Sequence, residues 1–177
     1  MYYDLKRYSK KTGFLPSLIT FLSYPGYRFI SMHRLCNRFS RLSPVGIVVR
    51  IWFKNLQVRF GYQIPHTVKI GRGLFLGHFG NIVVNQSVVI GENCNVAQGV
   101  TIGNLSRGSR VGCPVIGDRV WVGANAVVVG RITVGNDVLI APLSLVNFDV
   151  PDNSVVAGNP AQIISTKGSQ GYIKNII

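Results

Sequence analysis

Pro114-Val115-Ile116-Gly117 opens a run that continues through Val120-Trp121-Val122-Gly123, Ala126-Val127-Val128-Val129, Ile132-Thr133-Val134-Gly135, Val138-Leu139-Ile140-Ala141 and Ser144-Leu145-Val146-Asn147. Ile116, Val122, Val128, Val134, Ile140 and Val146 recur every six residues, each with a small or apolar residue two places earlier. Residues two apart on a strand share a face, and the Gly or Ala that usually follows can carry the backbone round a corner. Each hexapeptide is therefore a short strand plus a corner. A fixed period of this length means stacked coils, each burying its aliphatic residues against the next. A series of hairpins would instead need Asn-Gly or Asp-Gly turns.

Outward from this run, the same frame extends back through Ile102, Val96, Ile90 and Val84, with partners Val100, Cys94, Val88 and Ile82. It then slips by two residues, to Leu76 and Ile70 with partners Leu74 and Val68, so that Gly77-His78-Phe79-Gly80-Asn81 holds something extra. A second interruption, Asn104 to Cys113, separates Ile102 from Ile116. About four coils are predicted between Ile70 and Val146, with function at the interruptions, because regular rungs build a featureless prism.

The chain has three histidines, His33, His66 and His78, and His78 lies in the first interruption. An imidazole, with an ordinary pKa near 6.5, can accept a hydroxyl proton at neutral pH. Three cysteines, Cys36, Cys94 and Cys113, lack metal-ligand spacing, and Cys94 falls on an inward rung; this usage fits a reducing cytoplasm. No signal peptide is recognised: Lys6, Arg7, Lys10 and Lys11 lead into Phe14 to Leu22, a run interrupted by Pro16 and without a small-residue cleavage site. It is too short to span a bilayer.

Of the 19 basic residues behind the net charge of +13, eleven lie in residues 1–60 beside one acid, Asp4. Pro25 to Phe39 and Pro44 to Phe60 read as helices, each started by proline. Basic residues inside apolar helices carry no nucleic-acid reading motif. These helices are expected first to cap the open end of the solenoid, and a remaining basic, aromatic face could contact an anionic membrane. The expected division is a helical cap over 1–60, a β-helix over 61–164 and a tail over 165–177.

The hexapeptides, with Lys69-Ile70-Gly71-Arg72-Gly73, Gly77-His78, Ile82-Val83-Val84 and Gly99-Val100-Thr101-Ile102-Gly103, resemble the left-handed β-helix acyltransferases, in particular the serine O-acetyltransferase branch. Ala157-Gly158-Asn159-Pro160-Ala161 resembles the turn that closes the β-helix in that superfamily. The resemblance implies a mainly β fold, a left-handed parallel β-helix with a short helical region, assembled as a homotrimer with sites between subunits. It also implies acetyl-CoA as donor, no metal, and His78 as the general base. Pantetheine would lie along backbone at Gly103, Gly123, Ala124, Ala141, Pro142, Asn159 and Pro160, and the acceptor would meet Gln63, Asn81, Arg107 and Arg110.

Departures from the branch bear on the acceptor. Its members carry aspartates where this chain has Gln63 and Gly77, and an arginine and a histidine where it has Gly112-Cys113 before Pro114. A serine acceptor presents a carboxylate and an ammonium, which call for charged partners. The pattern is nearer to the surface-polysaccharide O-acetyltransferases, which implies a sugar hydroxyl as acceptor. L-serine is the alternative: such enzymes use a C-terminal isoleucine to dock into the sulfhydrylase that follows them, and the sequence ends in Ile176-Ile177, an ending that so common a residue also reaches by chance. A non-enzymatic scaffold ranks lower, as does a zinc hydratase, which would need three histidines on one metal.

Overall fold

The computed structural model describes residues 2–177. Four helices, α1 (Tyr2–Tyr8), α2 (Phe14–Ser23), α3 (Pro25–Arg38) and α4 (Pro44–Phe60), precede a left-handed parallel β-helix. Its first face stacks β1 (Tyr62–Gln63), β4 (Ile82–Val84), β7 (Thr101–Gly103), β10 (Val127–Val129) and β13 (Leu145–Val146). The second stacks β2 (Lys69–Ile70), β5 (Val89–Ile90), β8 (Val115–Ile116) and β11 (Thr133–Val134). The third stacks β3 (Phe75–Leu76), β6 (Asn95–Val96), β9 (Trp121–Val122), β12 (Leu139–Ile140) and β14 (Val155–Gly158), with β15 (Ala161–Ser165) antiparallel on β14.

The register follows the hexapeptide frame. Val84 pairs with Ile102, Ile102 with Val128, and Val128 with Val146. Ile90 pairs with Ile116 and Ile116 with Val134. These residues are buried, and each aliphatic side chain removed from water contributes about 1.5–3 kcal/mol. The β-helix extends further than the frame predicts. It starts at Tyr62, paired with Ile82, and runs to Val156, paired with Ile140. An aromatic residue fills the first inward position where the aliphatic pattern has no entry.

The helices cover the edge that the first coil would otherwise leave open. β2 and β3 are sheet-edge strands, and unpaired backbone at an edge needs partners. Arg7 Nε donates to Gly73 O at 2.8 Å, and Arg34 Nη1 to Ile70 O at 2.6 Å. Gly73 N donates to Asp4 Oδ1 at 3.0 Å. Tyr8 Oη accepts from Leu76 N at 2.8 Å and donates to Leu74 O at 3.3 Å. Arg34 and the buried Asp4 are themselves ion-paired at 3.2 Å. α3 comes so close to β3 that a Cβ on Gly26 would sit 2.1 Å from Leu76 O, so that position needs glycine.

The sequence reads two helices here; the structure has four. Phe14 to Leu22 is helical, with Pro16 in the first turn where proline is tolerated. The basic residues also divide differently from a simple polybasic face. Besides Arg7 and Arg34, Arg50 donates to Cys36 O at 2.7 Å and Phe39 O at 3.3 Å, satisfying carbonyls at the end of α3. Arg28 Nε donates to Phe21 O at 2.8 Å, holding the end of α2.

Candidate active site

His78 lies in the loop that turns from β3 to β4, and its side chain is exposed. The loop backbone is fixed. Gly80 N donates to Phe60 O at 2.8 Å, and Ile82 N to Gly61 O at 3.0 Å. Tyr62 Oη donates to the His78 carbonyl at 3.0 Å. Tyr62 is fully buried, with Phe29 at 5.0 Å and Phe60 at 6.0 Å between ring centroids. Burial pushes its phenol pKa up, so Tyr62 stays a hydrogen-bond donor at every working pH. The imidazole is thus presented to solvent from an anchored backbone.

Successive turns from the third face to the first stack on one another, and the candidate donor backbone lies on this same corner. Asn125 N donates to Gln98 O at 3.0 Å, and Leu143 N to Ala124 O at 2.9 Å. A column therefore runs from the His78 loop through Gln98, Gly123-Ala124 and Ala141-Pro142 to the turn at Asn159-Pro160, where β14 reverses into β15. Gly123 packs so tightly that a Cβ would lie 2.5 Å from Pro142 N. Gly103 does not belong to this column. It ends β7 and therefore lies at the opposite edge of the first face.

Between α4 and the first face lies an open cleft of about 900 Å³. Gln63 and Asn81 line it together with Gln57, Asn85 and Gln86, with Lys54 as its cation and the His66 imidazole beside them. No carboxylate lines it. His78 is not in its wall; Asn81, three residues on, connects the His78 loop to it. His66 has a pKa lowered by burial and then by Arg50 and Arg41.

Arg107 and Arg110 belong to the second interruption, which leaves from the far end of β7. Within one chain they lie across the first face from His78. Arg110 is committed to Asp149 at 2.7 Å, and a bridge between Leu105 and Gly112 closes the loop; Arg107 is exposed. Gln63 makes no hydrogen bond to His78, as its side chain serves the cleft. His33 and His66 instead flank Phe53, at 6.0 and 6.5 Å between ring centroids. Among the described residues no group of three His, Cys, Asp or Glu could hold a metal.

Sequence reasoning missed Tyr62, whose frame position marks it only as core, and Gln57, Asn85 and Gln86. The two corner residues Asn85 and Gln86 follow directly on β4, but Gln57 joins them only because α4 docks beside β1.

Fold and corner together define a hexapeptide-repeat β-helix protein, and the pattern of the bacterial transferase hexapeptide family (six repeats) matches residues 113–147. The chain is 31% identical to a serine acetyltransferase of Synechococcus elongatus over 83% of its own length and 60% of that protein. It is 37% identical to the putative colanic acid biosynthesis acetyltransferase WcaB of Escherichia coli, over 80% of this chain and 86% of the relative. The serine acetyltransferase of Brucella abortus solved with coenzyme A superimposes with a TM-score of 0.76 at 30% identity, covering 94% of this chain and 66% of that one. The chain spans between 40% and 60% of the length of the first four curated relatives. It belongs to the hexapeptide-repeat acyltransferase superfamily, in the branch that holds the serine acetyltransferases and WcaB.

Proposed function

We propose that the chain is an acetyl-CoA-dependent O-acetyltransferase with His78 as general base. The observation that carries this reading is the exposed imidazole on an anchored loop, at the head of a column of corner backbone. Neutral His78 takes the proton of an acceptor hydroxyl, and the oxygen attacks the thioester carbonyl carbon. The resulting oxyanion is stabilised by backbone N–H groups, and its collapse expels the CoA thiolate, which recovers the proton from the imidazolium. Positioning does much of the work, because the thioester is already activated. Gly123, Ala124, Ala141, Pro142, Asn159 and Pro160 offer pantetheine an extended ledge; Gly103 would serve it only across the first face. The wider reading includes a homotrimer, in which Arg107 of one subunit would approach the His78 corner of the next, and a cytoplasmic site, where acetyl-CoA is made.

Two acceptors each have an observation behind them. The relatives back L-serine better, since serine acetyltransferases predominate among them. This chain's own residues back a sugar hydroxyl: five side-chain amides line the cleft, with no carboxylate for a serine ammonium, and amides both donate to and accept from hydroxyls. WcaB, a putative acetyltransferase of colanic acid biosynthesis, supports the sugar reading. Release of free CoA is measured against serine, free sugars and nucleotide sugars. The expected result is saturable turnover of a saccharide with serine poor, and a loss of at least ~100-fold in His78→Ala but not in His66→Ala. Saturable serine turnover would install the serine reading, and an unchanged His78→Ala would remove the base.

A further inference from the structure

α2 is built inside out. Its polar Thr20 is buried and bonded to Pro16 O at 2.7 Å, and Ser17 meets Tyr27 Oη at 2.9 Å. Its large apolar residues face solvent, from Phe14, 86% exposed, through Leu18 to Leu22 at 63%, one stripe at four-residue spacing. α4 does the same over half its circumference. Val49, Phe53, Leu56 and Phe60 point inward, while Val48, Ile51 at 66% exposure, Trp52 and Val58 point out. The two stripes are joined where the Phe21 ring meets Trp52 edge-on at 6.0 Å. Contiguous apolar surface on this scale marks an interaction site.

The charge around it selects the partner. Lys10 and Lys11 precede α2, Arg41 precedes α4, and Lys54 and Arg59 lie along α4; all five are exposed. The one acid of residues 1–60, Asp4, is buried and paired with Arg34 at 3.2 Å, so the helices themselves present no exposed carboxylate beside these cations. Two copies meeting through this face would oppose cation to cation, which is repulsive. An apolar stripe flanked by lysine and arginine, with a tryptophan at its centre, instead matches the interface of a bilayer carrying anionic headgroups. No helix among the described residues is long and apolar enough to cross a membrane.

We propose that the joined outer faces of α2 and α4 dock the chain peripherally on an anionic lipid surface. Lys54 and Val58 belong both to this face and to the wall of the amide-lined cleft, so docking brings the cleft mouth to the headgroup layer, where a lipid-linked acceptor would present its polar group. Only that last step rests on the acetyltransferase reading; docking itself does not.

The test is flotation of the full chain with vesicles of phosphatidylcholine alone or with phosphatidylglycerol admixed. Trp52 emission is followed in a Trp121→Phe background, because Trp121 packs against Tyr172 on the β-helix. Binding is expected only with phosphatidylglycerol present, to weaken as salt is raised, and to shift Trp52 emission to the blue. Removing a lysine at position 10 or 11 lowers affinity about fivefold each, and Phe14→Glu or Ile51→Glu about thirtyfold. Both apolar sites are exposed, and an unchanged circular dichroism spectrum establishes that the variants fold. Absence of binding to the anionic vesicles, equal binding to both lipids, or Ile51→Glu dissolving an oligomer while leaving vesicle binding intact would each overturn the proposal, whatever the enzymatic activity.

Discussion

His33 should make the fold acid-sensitive. The residue is buried in α3, its ring against Phe53, and neither ring nitrogen has a hydrogen-bond partner among the described residues. Burial first and the charge of Arg34 after it bring its pKa down from 6.5 to about 4, with the nearby backbone of Pro65 acting in the opposite direction. The unfolded chain therefore binds a proton that the folded chain refuses. Stability is complete above the unfolded value of 6.5 and is lost as pH falls from there towards 4. At about 1.4 kcal/mol per pH unit, the window amounts to about 3 kcal/mol. With a urea dependence of about 1–3 kcal/mol per molar, the midpoint of unfolding should drop by about 1–3 M across that window. His33→Phe keeps the ring and removes both unpaired nitrogens, so it should be neutral or stabilising near pH 7.5 and should flatten the acid limb. A variant with the same pH slope as the parent would refute the assignment.

Two further outcomes are expected. Arg7→Ala strips the donors from Gly73 O and Asn93 O and from the carbonyl of Lys174; with unpaired buried carbonyls costing about 1–3 kcal/mol each, the urea midpoint should fall and trypsin should cut at Lys174 faster. Gly77→Asp has room for its Cβ if the Phe75 ring gives way, the nearest atom being at 3.0 Å. A carboxylate beside His78 would raise the imidazole pKa by roughly one pH unit, so the acid limb of kcat/KM against pH should move up by about that much, and an unmoved limb would place the new carboxylate out of reach.

The sequence by itself determined the β-helix and its register. The six-residue period leaves one arrangement that buries Ile116, Val122, Val128, Val134, Ile140 and Val146 together, and the pairings follow it. It also singled out the His78 loop, because a break in so strict a period is visible without coordinates. What the period cannot express is how elements outside it dock. The end of the prism is sealed by Asp4, Arg7, Tyr8 and Arg34, residues 66 or more and 36 or more positions from the backbone they satisfy, and no local pattern distinguishes the buried Arg7 or the half-buried Arg34 from Lys10 or Arg41 on the surface. The cleft likewise exists only because α4 lies beside β1, which brings Gln57 to Gln63, Asn81 and Asn85. α2 makes the same point. Composition alone would have turned Phe14, Leu18 and Leu22 inward; tertiary packing turned Thr20 inward instead and set Ser17 against the Tyr27 hydroxyl, while the apolar stripe stays exposed.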